Sequence, residues 1–308
     1  MFEPNHPVVY LRSVGDPYLK QMLCDFGASM TACELNDGPC WQAGSDLDVF
    51  FGSWKDRNLE HHNLKRDIVA KSKRFIVLET ALLGRQKVEL VPRDRYVRMG
   101  LNGFLANTGN FNYYDRPSDR WEKISSDLGL SLEPTNRSKD SPILVALQLP
   151  GDASLQGTDI SFWAASVIDH IRLLTNKPII LRTPQLPRDY DEAAMQRIFS
   201  HPEIYVQEGT KDNLRDTLRN CWAAVTFSSG IGIDALMYGC PVIAYSPASF
   251  CFRLCPNSVE YVEHIELPNE EDRQQLFNNL AYAQWSTEEL RDGSAWAHMQ
   301  EAMWLDQR

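Results

Sequence analysis

SSGIGIDALMYGCPVIAY, residues 228–245, follows the apolar run AAVTF and decides how the second half of the chain is read. AAVTF has the composition of a buried strand, small residues follow it, the piece from near Gly232 to near Gly239 suits a short helix, and PVIAY is a second buried strand. Strand, small-residue turn, helix and strand form the unit of a parallel sheet covered by helices. Free N–H groups at the start of that helix, with the positive end of its dipole, suit a phosphate or diphosphate. Ser228 and Ser229 offer hydroxyl donors, and Gly230 leaves room for a ligand against the backbone. A plain turn with Ser229 as helix cap fits the same residues, so the stretch alone leaves both readings open.

Upstream, the same alternation repeats. SPILVALQLPGD reads as strand then turn, ISFWAASVIDHIRLLT as a helix, KPIILRT and EIYVQ as strands, and DNLRDTLRNC as a helix. The N-terminal half opens with the strand VVYLRS, a turn containing Gly15, and a helix PYLKQMLCDFG with Pro at its first turn. DLDVFFGSW and RFIVLET read as interior parallel strands joined by the helix HHNLKRDIVAKSK. Residues 100–140 are rich in Asn, Gly and aromatics and read as connection. The expected fold is α/β, with two Rossmann-like domains facing a cleft. The expected boundaries are 1–140 for an acceptor-side domain, 141–285 for a nucleotide-sugar domain, and 286–308 for a terminal helix crossing back to the first. Residues 270–305 read as two helices.

Composition narrows the class. With 308 residues, 43% of them hydrophobic, the chain can bury a substantial core, which excludes overall disorder. The absence of a long apolar run or a basic leader points to a cytoplasmic protein. Seven cysteines, Cys24, Cys33, Cys40, Cys221, Cys240, Cys251 and Cys255, contain no CxxC pair, which suits reduced, buried thiols and no metal site. The net charge of −10 is uneven: residues 54–98 hold twelve Lys/Arg against six Asp/Glu, and residues 259–308 hold three against eleven. The basic block is either a solvated surface or an attraction for an anionic ligand or polymer.

Gly230-Ile-Gly232-Ile-Asp234-Ala235 fits a loose dinucleotide fingerprint. That fold needs an acid ending the next strand to hold a ribose, and PVIAYSPAS supplies Tyr and Ser instead. The spacing of Asp234 to Gly239 and Pro241 instead resembles the nucleotide-sugar site of GT-B glycosyltransferases. In that family a small-residue loop binds diphosphate, and an acid on the helix, usually Glu, holds the ribose hydroxyls ahead of Gly-x-Pro-Val. The shorter Asp234 departs from this pattern. Gln148-Leu-Pro-Gly151-Asp152-Ala-Ser154, after the strand ILVAL, resembles the loop opening the C-terminal domain of capsule-type GT-B enzymes, which contacts donor phosphate or sugar. Arg182, near the end of KPIILRT, resembles a basic position that neutralises the leaving nucleotide, a task GT-B enzymes generally perform without metal, and a surface salt bridge at a strand end is the alternative. The resemblance thus implies a donor set of Gln148, Gly151, Asp152, Ser154, Arg182, Ser228, Ser229, Gly230 and Asp234, with a nucleoside-diphosphate sugar as co-substrate and no cofactor.

Sugar transfer also needs a group that accepts the acceptor proton. Asp16 and Glu79, each at the carboxyl end of an expected strand, are the candidates, with a helix cap or salt bridge as the alternative for either. His61 and His62 are adjacent, so on a helix they diverge and cannot readily share a metal. Arg85, Arg98 and Asn102 lie in a segment mixing guanidinium groups, aromatics and a Gly turn, which fits either an acceptor clamp or a basic surface. ETALLGR and GLNGF resemble glycosyltransferases of bacterial viruses, which implies a hydroxymethylated pyrimidine in phage DNA as one acceptor and a glycan as the other. An epimerase of the same fold and a non-catalytic binding module are the competing functions.

Overall fold

The computed structural model describes residues 4–55, 58–84, 96–111, 115–184 and 189–305. The chain runs β1 (Pro7–Tyr10), α1 (Pro17–Ala28), β2 (Glu34–Asn36), β3 (Leu47–Phe51), α2 (Glu60–Lys71), β4 (Phe75–Thr80), β5 (Tyr96–Leu101) and α3 (Asp119–Leu128). It continues with β6 (Ile143–Ala146), α4 (Ile160–Leu174), β7 (Ile179–Thr183), α5 (Glu192–Phe199), β8 (Ile204–Glu208), α6 (Lys211–Arg219), β9 (Ala223–Thr226), α7 (Ile231–Met237) and β10 (Val242–Ala244). It closes with α8 (Glu270–Tyr282), β11 (Gln284–Ser286), α9 (Thr287–Arg291) and α10 (Ser294–Leu305). Two compact units result: Met1–Leu128 with Phe277–Arg308, and Gly129–Leu276.

In the first unit the strand order is β11-β5-β4-β3-β1-β2. β2, β1, β3 and β4 are parallel, whereas β5 and β11 are antiparallel additions. β1 and β3 are buried along their whole length, as expected of strands with both faces covered. Val9, Phe26, Val49, Ile76 and Met99 share one core with Trp296 and Met299 of α10. Each such side chain removed from water contributes on the order of 1.5–3 kcal/mol.

Two sequence expectations change here. Residues 96–101, part of a segment read as either an acceptor clamp or a basic surface and not as a strand, form β5, because Val97, Met99 and Leu101 all enter the core while Arg98 stands opposite Glu79 in the ladder. Residues 270–305, read as two helices, contain the short strand β11, whose Gln284 side chain accepts from the backbone of Leu82 and Leu83, each at 2.9 Å.

The second unit is fully parallel, in the order β10-β9-β6-β7-β8. β6 (ILVA) and β9 (AAVT) are buried throughout. Asp159 caps α4 by accepting from Ser161 N at 2.9 Å, and Ile160, Ala164, Ile168 and Ile171 lay that helix on the sheet. Reversal of strand order about β6 puts the loops after β6 and β9 side by side, where ligands bind in open parallel sheets. No helix among the described residues is long and apolar enough to cross a membrane.

Candidate nucleotide-sugar site

The loops after β6 and β9 are tied together by side chains. Gln148 is 9% exposed; its Nε2 donates to Ser154 Oγ (2.9 Å) and Ser228 Oγ (3.1 Å), and its Oε1 accepts from Ser228 N (3.0 Å). Ser228 Oγ donates to the Ser154 carbonyl at 2.8 Å, and Asp152 accepts from both Ser154 N (2.9 Å) and Ser154 Oγ (2.8 Å). The amide of Gln148 and the hydroxyls of Ser154 and Ser228 are therefore engaged in holding the two loops in register. Ser229 closes the turn, its N–H donating to Thr226 Oγ1 (3.0 Å) and its hydroxyl accepting from Ile231 N (3.3 Å).

What remains open is backbone. Gly151 has φ +70° and no atom within 4 Å of where a Cβ would stand. Gly230 has an ordinary φ of −59°, a Cβ there would also meet nothing within 4 Å, and its N–H has no acceptor among the described residues. Neither backbone strain nor packing requires glycine at 230. The other two glycines of the stretch do serve the fold. A Cβ on Gly232 would stand 3.2 Å from Cys251 Sγ, and Gly239 ends α7 at φ +77° with the Pro134 carbonyl 2.2 Å from its Cβ position.

Arg182 is the penultimate residue of β7 and is 4% exposed. Its Nη1 donates to Gln207 Oε1 (2.6 Å) and Asn213 Oδ1 (2.9 Å), and its Nη2 to the Thr210 carbonyl (2.7 Å). All three acceptors are neutral, and Arg182 forms no ion pair among the described residues. Burial pulls this guanidinium below its ordinary value, with Asp234 and then Cys221 acting the other way. Asp234, itself buried on α7, is the first of the groups that favour the charged form of Arg182. Gln207, Thr210 and Asn213, which aim the guanidinium, were not singled out from sequence; their only signal is a polar run between a strand and a helix.

In the first unit, Asp16 caps α1, its Oδ1 accepting from Tyr18 N (2.8 Å) and Leu19 N (3.4 Å). Among the described residues its Oδ2 takes no hydrogen bond. Glu79 is different: Oε2 accepts from Ser53 N (2.8 Å) and Oε1 from Thr80 N (2.7 Å). Burial opposes ionisation of Glu79, but Arg98, the two backbone donors and Lys65 outweigh it and hold the carboxyl below its usual range. Arg98 lies opposite Glu79 in the ladder and over the Phe104 ring at 5.8 Å. Asn102 is a turn residue, with φ +60°, its Oδ1 accepting from Phe75 N at 3.1 Å. Arg85 lies outside the described residues. His62 is buried on α2, and its Nδ1 accepts from Lys55 N at 3.2 Å. Among the described residues no group of three His, Cys, Asp or Glu could hold a metal ion. Burial raises the thiols of Cys221, Cys240, Cys251 and Cys255.

No family model and no curated protein matches the chain. Solved structures do. The KpsC β-Kdo 2,7 transferase of Thermosulfurimonas dismutans superposes with TM-score 0.55 at 13% identity, covering 95% of this chain and 99% of that one. The β-Kdo 2,4 transferase of the same organism's KpsC gives TM-score 0.51 at 15% identity over 90% and 89% of the two chains. The UDP-GlcNAc 2-epimerase of Methanocaldococcus jannaschii covers 89% of this chain and 90% of its own at TM-score 0.27 and 12% identity. The chain has the two-domain α/β fold of the GT-B type.

Proposed function

We propose that the chain is a glycosyltransferase whose second unit holds a nucleotide-activated sugar and whose acceptor is a carbohydrate hydroxyl. The observation that carries this reading is Arg182: a buried cation at the carboxyl end of a parallel strand, aimed by neutral acceptors, with a buried acid, Asp234, in its field. A phosphate meeting the Arg182 guanidinium would be stabilised as negative charge grows on the leaving nucleotide. The open backbone at Gly151 and Gly230 admits the phosphate and sugar, and Asp234 accepts from ribose hydroxyls. Gln148, Asp152, Ser154 and Ser228 keep the two loops in shape, and Ser229 holds the turn. The two similar structures are transferases, which supports the same class.

Of the two carboxylates in the first unit, Asp16 is the better proton acceptor. It is exposed and among the described residues one of its oxygens takes no hydrogen bond, whereas each Glu79 oxygen accepts a backbone N–H and its carboxyl is held below the usual range. In the transfer step the acceptor oxygen attacks the anomeric carbon, its proton passes to a carboxylate base, and the bond to the nucleotide phosphate breaks with charge moving toward Arg182. Arg98 lies on the first unit's sheet, where it steadies Glu79.

The test is a panel of nucleotide sugars, including an activated Kdo, incubated with glycan acceptors and with hydroxymethyl-pyrimidine DNA, and read by mass. Acceptor-dependent mass gain on a glycan supports the proposal. Gain on DNA alone replaces the acceptor, conversion of donor without acceptor indicates an epimerase, and no nucleotide release from any donor refutes catalysis.

A further inference from the structure

The side chains that hold Arg182 are themselves held by a further residue. Gln207 of β8 stands beside Arg182 in the parallel ladder, and α6 carries Asn213 and, one turn on, Thr217. The hydrogen bonds among them run in one direction. Thr217 has a single hydroxyl proton, and its closest acceptor is the Asn213 carbonyl, at 2.7 Å. With that proton committed, the hydroxyl oxygen accepts, and Gln207 Nε2 donates to it at 3.0 Å. The competing arrangement, Thr217 donating to Gln207 Oε1, has the longer distance of 3.3 Å.

Gln207 therefore turns its Oε1 toward Arg182, whose Nη1 donates to it at 2.6 Å. A reversed amide would set N–H groups against a guanidinium that has only donors to offer. Asn213 works at both ends, its carbonyl taking the Thr217 proton and its Oδ1 accepting from Arg182 Nη1 at 2.9 Å. Gly209 lets the backbone after β8 lie against the same group. A Cβ there would stand 2.9 Å from the Thr183 carbonyl and 3.5 Å from both Nε and Nη2 of Arg182, and the Thr210 carbonyl reaches Nη2 at 2.7 Å.

Glu has nearly the shape of Gln, so packing does not distinguish them at position 207. Charge does. An amide oxygen orients the guanidinium and leaves its charge to act on a ligand, whereas a carboxylate at the same place would form an ion pair and cancel much of the field reaching a phosphate. We infer that Gln207 is a positioning residue, set in turn by Thr217, whose neutral amide aims Arg182 without neutralising it and so determines affinity for the donor's phosphates. The inference rests on the donor reading of Arg182 and adds to it a determinant on β8 and one on α6.

The full chain is titrated calorimetrically with adenosine, cytidine, guanosine and uridine diphosphates and with their nucleosides. Gln207→Glu is expected to weaken the diphosphate that the parent binds by about tenfold or more, with nucleoside affinity and thermal midpoint retained. Thr217→Val is expected to weaken it about 2- to 10-fold, Thr217→Ser to restore it, and Thr217→Val to have no effect in an Arg182→Met background, where there is no guanidinium to aim. Should Gln207→Glu unfold, the Thr217 series carries the test. Parental diphosphate affinity in Gln207→Glu, alongside a weakened Arg182→Met, overturns the inference and leaves the donor reading in place. A Thr217→Val loss that persists without Arg182 overturns it as well, because the effect then bypasses the guanidinium. Parental affinity in Arg182→Met, or a parent that binds no diphosphate, overturns both.

Discussion

Replacing Arg182 by Met removes the charge while keeping most of the side chain's length and apolar stem. In the folded protein two changes oppose each other. Three hydrogen bonds, to Gln207 Oε1, Asn213 Oδ1 and the Thr210 carbonyl, disappear, but so does the cost of keeping a guanidinium that is 4% exposed away from water. Gln207 retains its contact with Thr217, at 3.0 Å. Net stability is therefore expected to change by no more than about 1–2 kcal/mol. Binding has no such offset. A phosphate facing Arg182 loses a charge-assisted hydrogen bond worth about 1.5–3 kcal/mol, a fall in affinity of roughly 10- to 150-fold. Calorimetric titration of parent and Arg182→Met with a nucleoside diphosphate and with the matching nucleoside separates the causes. The variant should lose affinity for the nucleotide and keep that for the nucleoside, which has no phosphate to place. Equal nucleotide affinity in the two proteins, or a parallel loss for the nucleoside, refutes the reasoning.

Asp16→Asn keeps a capping oxygen at the start of α1, so the unfolding midpoint should hardly move while kcat falls by about 10²–10⁴ with donor affinity retained; an active variant removes Asp16 as the base. Gly230→Ala places a methyl in open space at an allowed φ, so stability should stay level or rise by about 0.4–1 kcal/mol while donor affinity drops, as thermal melts and titration would show. Glu289 is held at about 2, with burial opposing and Arg120, Ser286 N and Lys123 overcoming it; Glu289→Ala strands Arg120 and should cost about 3–5 kcal/mol in denaturant unfolding. His298 is lowered to about 3 by burial and then by Arg116 and Arg120, with Glu301 3.9 Å away. The unfolded chain binds that proton first, so His298 favours the fold fully above about pH 6.5 and progressively less as pH falls toward 3. Between pH 7 and 5 its loss should reach about 2 kcal/mol, and His298→Leu should flatten that slope.

The second unit was the more legible half. Its strands are short continuous apolar runs, and its helices carry clear signals such as Asp159 before α4. The first unit hid β5 and β11. Tyr96–Leu101 has apolar residues on both faces and two basic side chains near it, a pattern shared by buried helices and loops, and only pairing with β4 resolves it. Gln284–Ser286 is too short to show any period. At the candidate site, Asp234 and Arg182 were singled out by their resemblance to the GT-B pattern, and the structure shows both of them buried. The network around Gln148 was not legible, because polar residues in a loop look alike whether they face a ligand or one another across 80 positions of sequence. Gly230 and Gly232 look equivalent in sequence, and only the space around each shows that one serves packing and the other does not.

The most direct test of the central claim is a crystal structure of the chain soaked with a nucleoside diphosphate. The account predicts phosphate oxygens within hydrogen-bond distance of Arg182 and the Gly230 N–H, with the ribose hydroxyls on Asp234. Nucleotide bound elsewhere, with the loops after β6 and β9 empty at saturating concentration, would contradict it.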